Sequence, residues 1–275
     1  MPDSFTGDLV THRVEVPGGH TIVVHEAGGG PAVVFVHGSG PGASGTSNFR
    51  ANLGAIAGAG FRVIVPDLIG YGASSKPTGI DYTLALFTET LRAALAALGV
   101  DRASFIGNSL GGAIAIQAAL DNTELVEKLI LMAPGGVETR EIYFAMPGIA
   151  RMVGDFTSPD FTEADQRRLI TALVFDPAVI TDALVRERYQ VARTQPKEVL
   201  ARMRVPDLSP RLAELRMPIQ GFWGKEDCFC PVSGAQKFLD QCADARFMIF
   251  NKVGHWVMVE RAAEFNRYVI DFLKL

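Results

Sequence analysis

At 275 residues and 48% apolar content, the chain is large enough for one sizeable α/β domain or two small ones. A formal net charge of -4 without runs of like charge gives no basis for a nucleic-acid partner. No stretch approaches the roughly 18 apolar residues of a membrane span. The opening stretch, Met1 to Thr11, has no apolar centre, so a cytoplasmic protein is expected. Cys228, Cys230 and Cys242 read as reduced thiols, because C-x-C with no histidine nearby is a poor zinc pattern.

In chain order, His12 to Val16 and Thr21 to His25 flank Pro17-Gly18-Gly19 and read as a hairpin. Ala32 to Val36 is an unbroken β-branched run, as in a strand covered on both faces. It ends in the glycine-rich loop His37-Gly38-Ser39-Gly40-Pro41-Gly42, at the strand's carboxyl end, where open α/β sheets hold ligands. The loop lacks the spacing of a P-loop or a dinucleotide fingerprint. Ser47 to Ala59 is expected as a helix and Arg62 to Val65 as a strand. Asp67 is read as capping its own turn. Thr83 to Leu98 is amphipathic and closes at Gly99, a second helix.

Ala103 to Ile106 then reads as a buried strand and Leu110 to Leu120 as a helix. Between them Gly107, Ser109 and Gly111 form G-x-S-x-G, the pattern of a nucleophile elbow. Lys128 to Met132 is a further strand. From Val137 to Leu208 helical patterns broken by prolines replace the β/α rhythm, with no strand expected, and the rhythm resumes at Met217 to Trp223. Together these predict a mostly parallel doubly wound sheet. Residues 1–136 and 209–275 form the core, and residues 137–208 an inserted helical lid.

A serine hydroxyl needs a base, and the base needs an orienting group. His12, His20 and His25 fall on the hairpin, and His37 suits a structural donor. His255 follows the apolar strand Arg246 to Phe250 and precedes the last helix, where the order serine, acid, histidine places its base. Asp227 is the candidate acid, with Glu226 beside it as the alternative. Cys228, next in sequence, is a site where alkylation would disturb activity. The backbone amides of Leu110 and Ser39 are the candidate oxyanion donors. No cluster has metal-ligand spacing, so neither metal nor cofactor is expected.

Gly38, Ser39, Gly40, Pro41 and Gly42 with Ala43, Ser47 and Asn48, then Gly107 to Gly112, then Gly254-His255-Trp256, resemble the meta-cleavage product hydrolases of the α/β-hydrolase fold. The likeness runs through nearly the whole chain. It implies a cofactor-free enzyme that cleaves a carbon–carbon bond in 2-hydroxy-6-oxohexa-2,4-dienoates from catechol ring fission. The products are 2-hydroxypenta-2,4-dienoate and a carboxylic acid. In the family a lid arginine holds the dienoate carboxylate. Arg188 best matches it, with Arg186 and Arg193 close by and Asn48, Asn108 and Trp256 as companions.

The same resemblance implies a homo-oligomer, a dimer or larger. Ser39 departs from the glycine often found at its position. Phe144, Met146, Ile149, Met152 and Phe175 are the expected acyl-pocket residues and favour a 6-aryl group. A carboxylesterase or lactonase on the same serine, histidine and aspartate is the alternative activity, and a hydrolase-like receptor with negligible turnover is a third.

Overall fold

A computed structural model describes residues 9–275. The sequence reading of Met1 to Asp8 lies outside those residues. Ten strands are formed among the described residues, β1 (Val10–Val16), β2 (His20–Ala27), β3 (Ala32–Val36), β4 (Arg62–Pro66), β5 (Tyr82–Thr83), β6 (Ala103–Asn108), β7 (Val126–Met132), β8 (Met203–Arg204), β9 (Ile219–Gly224) and β10 (Ala245–Phe250). Eight make one sheet in the order β1-β2-β4-β3-β6-β7-β9-β10. The hairpin pairs antiparallel with itself and with β4, and every pairing from β4 to β10 is parallel.

The unbroken apolar runs are the central strands. Val33 to Val36 and all of β6 are buried, because helices cover both faces of a parallel sheet. The chain leaves β3 for β4 on one side and returns to β6 on the other. The crevice above the carboxyl ends of β3 and β6 is therefore the switch point at which such sheets bind ligands. The glycine loop and the G-x-S-x-G turn both open into it.

The turn after β6 is tight. Ser109 has φ 55° and ψ -119°, a conformation that costs a non-glycine residue about 1–3 kcal/mol and recurs at functional sites. It begins the helix Leu110–Asp121, whose residues Leu110 to Ile116 are all buried. Gly111 lets this helix cross the end of β3, since a Cβ there would sit 2.0 Å from the Val36 carbonyl oxygen and 2.7 Å from that of His37. Gly111→Ala is therefore expected to destabilise the fold by about 3 kcal/mol, read as a lower urea midpoint. An unchanged midpoint would show that the crossing has slack.

Two expectations are corrected. Ser47 to Ala59 is not one helix but two short ones, Gly45–Phe49 and Leu53–Gly58. Asn52 lies between them, and its amide donates to Met258 O and Asn266 Oδ1, which anchors the break to the C-terminal part of the chain. The segment after β7 is helical, but it also holds β8, which pairs parallel with β5. A two-residue strand is too short to show a period in the sequence. Asp67 does hold its turn, accepting from the amides of Gly45 and Ala73.

Candidate active site

Three side chains distant in sequence converge on the crevice. Asp227 leaves β9 four residues after Trp223, and its Oδ2 lies 2.7 Å from His255 Nδ1. Both side chains are almost fully buried. The other carboxylate oxygen accepts from the amides of Phe229 and Cys230 at 2.7 and 3.0 Å. With an acceptor-only carboxylate oxygen facing Nδ1, the imidazole is held with its proton on Nδ1 and Nε2 free to accept. Glu226, the alternative acid, accepts from the Val253 amide and makes no contact with His255 among the described residues.

Ser109 and His255 line one small compartment, with Gly38, Ser39, Gly40, Asn48, Asn108, Arg188 and Trp256. No hydrogen bond joins Ser109 Oγ to His255 among the described residues. Such bonds often tighten only when substrate is bound. The Leu110 amide stands at the N-terminus of a twelve-residue helix, where backbone dipoles favour negative charge. Ser39, across the crevice, lines the same compartment. Its carbonyl accepts from the Tyr71 hydroxyl.

Arg188 decides the polarity of this compartment. It sits on the helix Asp182–Ala192 and is 1% exposed. It donates to Asn48 Oδ1 at 3.1 Å and to the Pro41 carbonyl at 3.3 and 3.4 Å, and stacks 5.1 Å from the Trp256 ring. Asn48 in turn donates to Asn108, and Asn108 to the Met132 carbonyl. Burial pulls the guanidinium pKa down to about 10, so the group stays cationic at neutral pH. It has no carboxylate partner among the described residues. Arg186 and Arg193 are exposed.

The glycine loop is braced from the helical segment. Gln166 donates to the Pro41 carbonyl at 3.0 Å, and Gln195 accepts from the Gly42 amide at 2.8 Å. Gly42 has φ +68°, and a Cβ there would meet the Arg188 carbonyl oxygen at 1.9 Å. Neither glutamine was legible as a site residue, because a brace is defined by its partner 125 or 153 positions away.

A second, larger compartment opens from the same serine. It has a volume of about 410 Å³. Ser39, Ser109, Ile149 and Met152 belong to both compartments, and Tyr143, Phe144, Val153, Leu200 and Met203 line the larger one alone. The expected pocket residues Phe144, Ile149 and Met152 are thus in place, but Met146 and Phe175 line neither compartment. Phe175 is 48% exposed, on a stretch whose amides at Phe175 and Asp176 donate to Glu260.

The thiol that reaches the site is Cys230, not Cys228. Cys230 is buried on the wall of the larger compartment beside Ser109, whereas Cys228 is turned to the Ala172 carbonyl. Burial and the Asp227 carboxylate raise the pKa of both thiols, so both are neutral and weakly nucleophilic. Residues two apart in extended chain share a side, so the spacing of the two cysteines carries no sign of this difference. The described residues contain no cluster of three metal-ligating side chains, and none of their helices is long and apolar enough to cross a membrane.

His37 supports the loop. Its Nδ1 donates to the Gly38 carbonyl and its Nε2 accepts from the Leu68 amide, so the ring is neutral. Burial lowers its pKa from 6.5 to about 4. Between those values the unfolded chain binds a proton that the folded chain refuses, so stability falls as pH falls from 6.5 toward 4. The total is about 3 kcal/mol. Urea unfolding at pH 7 and pH 5 is expected to show a smaller loss in His37→Gln than in the wild type. Equal losses would remove His37 as the source.

The alpha/beta hydrolase family model matches residues 33–268. A 2-hydroxy-6-oxo-6-phenylhexa-2,4-dienoate hydrolase of Burkholderia cepacia is 34% identical over 99% of this chain and 98% of its own length. A 2-hydroxy-6-oxononadienedioate/2-hydroxy-6-oxononatrienedioate hydrolase of Comamonas testosteroni is 33% identical over 99% and 98%. Among solved structures, a meta-cleavage product hydrolase of Pseudomonas fluorescens superposes with a TM-score of 0.84 at 26% identity, covering 98% of this chain and 97% of that one. Taken with the elbow, the switch-point crevice and the buried imidazole–carboxylate pair, these likenesses show that the chain belongs to the alpha/beta hydrolase family, among its meta-cleavage product hydrolases.

Proposed function

We propose that the protein hydrolyses the C5–C6 bond of 2-hydroxy-6-oxohexa-2,4-dienoates without a cofactor, with 6-aryl substrates favoured. The observation that carries this reading is Arg188, a cation sealed in beside the serine with no anionic partner among the described residues. Burying an unpaired charge is costly, and a substrate carboxylate would complete it through a two-pronged contact. A simple ester offers no such anion, which favours the dienoate over the esterase reading.

A carbon leaving group departs only if its electron pair is delocalised. The dienol therefore first becomes the keto form, its hydroxyl proton passing to C5. With the carboxylate on Arg188 and the dienoate end against Asn48, Asn108 and Trp256, the C6 carbonyl lies over Ser109. Ser109 adds to C6 as His255 takes its proton and Asp227 holds the imidazole. The oxyanion meets the amides of Ser39 and Leu110, with Gly38 and Gly40 shaping the loop around it. Collapse breaks C5–C6, and the electron pair enters the conjugated fragment. That fragment takes the His255 proton on its C2 oxygen and leaves as 2-hydroxypenta-2,4-dienoate, and water, giving its proton to His255, hydrolyses the acyl-serine to a carboxylic acid as the proton returns to Ser109.

Residues 137–208 serve as the lid over the core of 1–136 and 209–275, which the reach of Gln166, Arg188 and Gln195 onto the glycine loop supports. A homo-oligomer, dimer or larger, in the cytoplasm completes the reading, the three free thiols suiting a reducing compartment. Mixing the purified protein with yellow ring-fission products tests it. The visible absorbance should fall with release of the pentadienoate, and a panel left unbleached would refute the assignment.

A further inference from the structure

The larger compartment has walls that are apolar in its body and cationic at its rim. At about 410 Å³ it far exceeds the roughly 150 Å³ that suffices for benzene. Its charged lining residues, among the described residues, are Arg140 and Arg204 alone. Both are exposed, so they stand where the compartment meets solvent. Arg140 stacks 4.9 Å from the Phe144 ring and makes no ion pair with a described residue. Arg204 lies 3.8 Å from Asp81, whose close partner is Arg202 at 2.9 Å.

Nearby carboxylates do not neutralise this rim from within. Glu138 is buried against Lys237 at 2.7 Å, Asp207 accepts from the Ser209 amide, and neither they nor Glu141 line the compartment. Two guanidinium groups at the open end of an apolar cavity select a ligand with an apolar body and a distal anion.

Resting on the C–C hydrolase reading, we infer that the acyl group of the substrate is aryl-bodied and bears a carboxylate at its far end. The released acid is then an aromatic dicarboxylate. Arg188 holds one end of such a substrate, and Arg140 with Arg204 hold the other. The scissile carbonyl is thereby placed between two charge contacts over Ser109.

Two substrates that share the dienoate head, 6-phenyl and 6-(4-carboxyphenyl), test this. For the wild type, kcat/KM is expected to be about tenfold higher for the carboxyphenyl substrate, the difference lying in KM. In Arg140→Ala/Arg204→Ala that ratio should collapse toward one, and Arg140→Lys/Arg204→Lys should retain most of it. Equal or lower kcat/KM for the carboxyphenyl substrate in the wild type would overturn the inference while leaving the hydrolase reading intact. So would a parallel fall for both substrates in the alanine variant, which would mean that the rim only steers the shared head group. Failure of the wild type to bleach either substrate would instead refute the hydrolase reading, and this inference with it.

Discussion

Ser109→Ala should lower kcat for dienoate cleavage by roughly four to six orders of magnitude, the scale set by nucleophile deletions in other serine hydrolases. Ser109 stands where the strained backbone at φ 55° lifts one side chain above the sheet, and the crossing at Gly111 leaves no space for the chain to relax. An alanine there keeps the small compartment and its arginine, so substrate should still bind. Stopped-flow absorbance would show binding, and chromatography of the mixture no release of the pentadienoate. Near-normal release of the pentadienoate by the variant would eliminate Ser109 as the nucleophile.

Arg188→Gln should lower kcat/KM for dienoates about 10²- to 10³-fold, in line with the roughly 3–4 kcal/mol typical of removing one partner of a buried charge contact. Glutamine is the informative replacement, because its amide can still donate toward the Pro41 carbonyl or Asn48 while the charge is gone. Hydrolysis of a small neutral ester should change far less, since it places no anion in that compartment. Thermal unfolding separates this from a folding defect. The free enzyme, relieved of an unpartnered buried cation, should be no less stable than the wild type by more than about 1 kcal/mol. Parallel loss of both activities at unchanged stability would show that Arg188 serves the acyl-transfer machinery and not the dienoate.

How much of the fold a chain reveals depends on how far apart in sequence the interacting residues lie. Features set by neighbours were legible. The small residues around Ser109, the β-branched run of β3, the proline and glycine breaks, and the placement of Asp227 and His255 after late strands all follow from local sterics and periodicity. The single helix expected over Ser47 to Ala59 failed for the opposite reason. Asn52 is held by residues more than 200 positions away, and no local pattern encodes that.

The site divides along the same line. The fold class could be read from the chain alone, and with it Ser109 as the candidate nucleophile and a narrow choice of candidate base and acid, because each of these depends on a residue type at a strand end. Packing alone set Asp227 and not Glu226 against His255, enclosed Arg188 while leaving Arg186 and Arg193 exposed, turned Cys230 rather than Cys228 toward the serine, and moved Phe175 out to the surface. Those four outcomes depend on which side chain is enclosed and what it meets there. Burial and partnership arise when remote segments pack together, and adjacent residues of the same type differ in them completely.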